Sequence, residues 1–140
     1  MGQHRAILNS LALGFPVFVL HLMVTIGIFV ILTVTYRWMT HQRFIEYVSN
    51  HNIAAAISFG SVQLSFAIPL AACLIGSVNV LDIVVWAFPI GLVQFICFLV
   101  FDAIFQNLPR RVEHNEVSVA LMVAATRISI AIIVAGGILD

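Results

Sequence analysis

The sequence predicts an all-α fold, a polytopic membrane protein with four transmembrane helices arranged as two parallel two-helix repeats. Three observations predict it. Of 140 residues, 62% are hydrophobic and 9% charged, with a mean hydropathy of +1.13, whereas soluble domains average about 25% charged. The apolar residues gather into four blocks, each near the ~20 residues a helix needs to cross ~30 Å of hydrocarbon. The two halves also resemble one another: Gly14-Phe15-Pro16-Val17 lines up with Ala87-Phe88-Pro89-Ile90, and His51-Asn52 with His114-Asn115. The length fits one membrane domain, 1–140, divided into repeats 1–76 and 77–140. Because each repeat holds two spans, both copies have the same orientation.

The blocks are continuous, not the short alternating segments of a β-barrel, so helices are the spanning solution that satisfies the backbone. The first runs near Leu13–Tyr36; its length, its internal Pro16 and the lack of a small-x-small cleavage site predict a retained anchor, not a signal peptide. No lipid anchor is expected from the start Met-Gly-Gln-His-Arg-Ala. The second block is Ile53–Gly76, with Asn52 placed to cap its first turn; the third is Leu81–Phe101; the fourth is Val117–Ile138, with Asn115 as the matching cap. The segment 37–52 mixes Arg37, Trp38, Phe44 and Tyr47, the aromatic and basic character of interfacial anchors. Pairing the prolines at an offset of 73 and the His-Asn dipeptides at 63 leaves ten extra residues in this loop, enough to extend the first helix as a docking surface.

Orientation follows from arginine, since lysine is absent. Arg37 and Arg43 lie in the first connecting loop, Arg110 and Arg111 in the third, and Arg5 alone on the other side. The positive-inside rule puts loops 37–52 and 102–116 in the cytoplasm and both termini in the periplasm. A net charge of zero speaks against nucleic acid. Cys73 and Cys97 fall near opposite faces and are expected to pack, not pair. His51, His114, Glu113 and Glu116 are plausible ligand types at no known ligand spacing, so no metal, cofactor or catalytic residue is expected.

Each span carries one strongly polar residue well inside: His21, Gln63, Gln94 and Arg127. Arg127 lies about 15 Å from the loop end of its helix, where an arginine costs roughly 2.5 to 3.5 kcal/mol on insertion scales. It cannot snorkel that far and must face protein or a water-filled cavity. At 100° per residue it shares a stripe with Ala120, Ala124, Ala131 and Ala135, a face suited to close helix packing. The second span has its own small stripe in Ala54, Ser58, Ser61, Ser65 and Ala72, with Gln63 on the opposite side. Protein on two sides of that helix implies a homo-oligomer or a membrane-protein partner. Pro69 frees the carbonyl of Ser65, which makes that oxygen, with Gln63, Gln94 or His21, the expected partner of the guanidinium.

The run Asn52-Ile53-Ala54-Ala55-Ala56-Ile57-Ser58-Phe59-Gly60, then Ile68-Pro69-Leu70, Asp82, Trp86-Ala87 and His114-Asn115, resembles the small bacterial inner-membrane proteins of the YjfL type, a domain of unknown function. The second repeat departs from the family pattern, having Val117-Ser118-Val119 where similar proteins have Ala-Ala-Gly. The resemblance implies four helices in the inner membrane and transfers no catalytic residue. The functional expectation is a non-enzymatic assembly or interaction component of the cell envelope embedded in the bilayer. The alternative is an oligomeric channel or transporter for a small, anionic solute.

Overall fold

The computed structural model describes residues 2–40, 44–104 and 108–140. Among the described residues six helices follow one another: α1 (Gly2–Thr40), α2 (Phe44–Ser49), α3 (Ile53–Gly76), α4 (Val80–Ile104), α5 (Leu108–Glu113) and α6 (Val117–Leu139). The described residues contain no strand. Four of the helices, α1, α3, α4 and α6, are long and apolar enough to cross a membrane, making this a multi-pass membrane protein. Arg43 and the side chain of Phe44, expected among the loop anchors, lie outside the described residues.

Helix α1 is longer than its expected span. It has 39 residues, about 58 Å at 1.5 Å per residue, well beyond the hydrocarbon thickness. Its first half, residues 2–18, is exposed throughout. Only the second half packs, through Val24, Ile28, Phe29 and Leu32, while Tyr36 is buried near the loop end. Helices α1 and α4 pack closely at Gly91, where an added Cβ would stand 2.9 Å from Leu32 Cδ2. Absence of a side chain at Gly91 is what lets these helices meet so closely.

At the centre stands α3, which touches α1, α4 and α6. Its main partner is α6, and the two run parallel from the same end. The interface is made of small residues: Ala54, Ser58, Ser61, Ser65 and Ala72 on α3, and Ala120, Ala124, Ala131 and Ala135 on α6, are buried. Small side chains bring backbones close, so van der Waals contact replaces the hydrophobic drive that lipid removes. A second layer is aromatic: Phe98 of α4 meets Tyr36 edge-on at 4.8 Å between centroids and Phe66 of α3 at 5.7 Å.

The connecting segments recur with a shift of 64. Three residues separate α1 from α2 and α4 from α5; α2 and α5 have six residues each, and both lead through the same turn into α3 and α6. The turn's hydrogen bonds repeat at the same shift: His51 N to Val48 O and Asn52 N to Tyr47 O, then Asn115 N to Val112 O and Glu116 N to Arg111 O. This pair is the Schellman ending of a helix, with His51 (φ 61°) and Asn115 (φ 59°) in the left-handed position. Two expectations change accordingly. The surplus placed in loop 37–52 is not there, because the connections match in length. Matching the His-Asn dipeptides by identity is one residue out of step with the backbone, which equates His51 with Asn115 and Asn52 with Glu116.

Candidate functional site

Two polar clusters stand out, one at the loop end of the bundle and one inside it. At the loop end, Asn52 caps α3 as expected, its Oδ1 accepting from Ala55 N at 3.0 Å. Its Nδ2 also donates to the carbonyls of Val112 (3.0 Å) and Glu113 (3.2 Å) at the end of α5. Asn115 behaves differently from its expected role. Its Oδ1 accepts from Ala54 N at 3.0 Å and so caps α3, whereas α6 begins at Glu116 with no side-chain cap bond. The reason is conformational: Asn115 holds the left-handed position of a turn, which aims its side chain away from the helix that follows. The phenol of Tyr47 donates to Glu113 Oε1 at 3.0 Å. These bonds tie the start of α3 to the start of α6 and set the two helices level.

Inside the bundle, Arg127 is 2% exposed. Its Nη1 donates to Ser58 O at 3.4 Å, Ser58 Oγ at 3.3 Å and Ser61 Oγ at 3.3 Å. The guanidinium carbon sits 5.0 Å from the centroid of the Phe98 ring, a cation–π contact that gains from being out of water. Two helices thus shelter it: α3 with oxygens and α4 with a ring. These acceptors lie one to two turns nearer the loop end than the expected Ser65 carbonyl. Helical side chains lean toward the N-terminus of their own helix, and α3 and α6 start level, so a residue ten positions into α6 reaches back to Ser58 and Ser61. Ser65 is fully buried, but its hydroxyl donates to Ser61 O at 2.6 Å.

The other polar residues at depth do not gather round the cation. The Nδ1 of His21 lies 2.7 Å from the carbonyl of Val17 on its own helix, which receives that proton. Gln63 is half-buried on the far side of α3. Gln94 is fully buried, and neither its Nε2 nor its Oε1 has a hydrogen-bond partner among the described residues. It lies one helical turn from Phe98, the ring that covers Arg127. Phe98 is the member of the site that residue-by-residue reading missed; its signal was the i, i+4 spacing from Gln94 on one face of α4. Cys73 and Cys97 are free thiols.

Chemically the arrangement sets a buried cation against two serine hydroxyls, a backbone carbonyl and an aromatic ring. No curated protein and no solved structure matches the chain. One family profile does, covering residues 10–138. With nearly its whole length matched, the chain belongs to the family described as Domain of Unknown Function (DUF350).

Proposed function

We propose that this protein is a non-enzymatic assembly component of the bacterial inner membrane, a bundle that joins with further copies or with another membrane protein, and that Arg127 locks α6 onto α3. Both termini face the periplasm and both arginine-bearing loops the cytoplasm, in line with the resemblance to YjfL-type proteins. The recurrence of the six-residue helices, the connection lengths and the turn hydrogen bonds at a shift of 64 supports an origin by duplication.

The sealing of Arg127 carries the reading: at 2% exposure its guanidinium meets Ser58, Ser61 and the Phe98 ring within the chain. An undocked α6 would present that charge to lipid at a cost of about 2.5 to 3.5 kcal/mol. Docking removes the cost, so the arginine drives the helix pair together. Replacing it with leucine tests this. Arg127→Leu is expected to weaken α3–α6 docking by an amount of that order, read as a lower unfolding temperature and lower recovery in mild detergent. A variant as stable as the parent would sink the proposal.

A second reading, conduction of a small anion through an oligomer, draws on Gln94. A fully buried amide without a described partner, one turn from the ring over a fixed cation, is the type of group that a passing solute would use. Gln94→Leu separates the two. The assembly reading expects unchanged or raised stability, since an unsatisfied buried amide is costly. The conduction reading expects loss of iodide flux in proteoliposomes.

A further inference from the structure

An assembly component needs a surface by which it meets its partner, and the shift of 64 points to one. The face that α6 lays on α3 consists of Ala120, Ala124, Arg127, Ala131 and Ala135. Sixty-four positions earlier, α3 carries Ala56, Gly60, Gln63, Ala67 and Ala71. The pattern is the same at all five places: small, small, polar, small, small. The receiving face on α3 is Ala54, Ser58, Ser61, Ser65 and Ala72. Its counterpart on α6 is Ser118, Met122, Ala125, Ser129 and Gly136, small at four of five.

The first pair of faces is pressed together inside the chain, whereas the second pair is not. All five residues on α6 are exposed; on α3, Ala56 and Ala71 are exposed, and Gly60, Gln63 and Ala67 are half-buried. An added Cβ at Gly60 or at Gly136 would meet nothing within 4 Å. Beside Ala67 and Ala71, between α1 and α3, opens an apolar groove of about 260 Å³ that Thr25 and Phe29 also line. A face built for lipid alone needs bulky apolar side chains; small residues with a glutamine among them suit another helix.

We propose that a second copy of this chain fills that groove, resting on the assembly reading above. Its α6 lays Ser118, Ala125, Ser129 and Gly136 against the Gln63 face of α3, repeating between copies the contact that α6 and α3 make within one. Gln63 then stands where Arg127 stands, and its amide addresses the carbonyl of Met122, the counterpart of Ser58 O. By helical phase the two faces of α3 look in nearly opposite directions, about 200° apart at 100° per residue. The contact is therefore heterologous, and it builds a ring or row of copies in place of a two-fold pair.

The experiment is cysteine cross-linking in native membranes between two differently tagged copies, one carrying Gln63→Cys and the other Ala125→Cys. Within one chain these positions face away from each other, so a disulfide between them joins two copies. The expected result is a mixed disulfide well above that of the parent chain and of a Gln63→Cys and Val85→Cys pair, Val85 being lipid-exposed on α4. Gly60→Leu and Gly136→Leu form the second arm. Each adds bulk where the protomer has open space, so the folded yield and unfolding temperature of the protomer hold while the oligomer peak in mild detergent is lost. An oligomer that forms without this cross-link, or that tolerates both leucines, overturns the surface and leaves the assembly reading standing. A chain that is monomeric and partnerless in nanodiscs overturns both. Acyl chains in the groove, with no cross-link, count against the proposal.

Discussion

His51 and Asn115 hold the same left-handed backbone, and asparagine takes this conformation more readily than histidine. Asparagine is tolerated there, whereas a left-handed residue with an ordinary side chain costs roughly 1 to 2 kcal/mol. Replacing His51 with glycine is expected to stabilise the protein by about 1 kcal/mol, seen as a higher unfolding temperature in detergent. The same change at Asn115 removes the Oδ1 that caps Ala54 N, so Asn115→Gly is expected to give no such gain. A His51→Gly variant no more stable than the parent would show that the turn is unstrained. Residue identities concealed this arrangement. Two His-Asn pairs invited a match by letters, but backbone role is set by where a helix stops, and that lies one residue apart in the two pairs. Arg127, in contrast, was legible alone, because a charge at depth has few places to go.

Among elements, the α3–α6 pair was the most readable. Both small-residue stripes follow from 100° per residue, and every residue named from phase on them is buried. The acceptors were not readable, since they depend on the two helices starting level, a matter settled by Asn52 and Asn115 at the loop end. The extent of α1 was also hidden: Gln3, His4, Arg5, Asn9 and Ser10 look like a polar leader, but helical hydrogen bonds continue through them. Where α1 meets α4, Gly91 leaves room for Leu32. Leucine there would force Leu32 aside, and overpacking of this type costs about 1 to 3 kcal/mol. Gly91→Leu is expected to lower the unfolding temperature accordingly, while Gly91→Ala, which only nudges the flexible end of Leu32, costs less. Equal stability of the leucine variant would show that α1 is free to move away.

For the whole molecule, four spans put the two termini on one side. Cysteines introduced at Gly2 and Asp140 are expected to react with an impermeant maleimide from the periplasmic face, and one at Ser49 from the cytoplasmic face. Termini labelled from opposite sides would mean that one long helix does not cross. Fold class was legible at this scale because composition and block length leave no soluble alternative. The proposed assembly was legible only in part, since protein on two sides of the second span could be read from phase, while the partner face on α6 needed the shift of 64 to be seen.

The position of Arg127 in the last helix also bears on the order of synthesis. A chain made from its N-terminus puts α3 and α4 before α6, so the serines and Phe98 are made before the cation. Were the same residue carried by α1, it would wait unsheltered through most of translation. Placed where it is, the cation follows in the chain every group seen to shelter it.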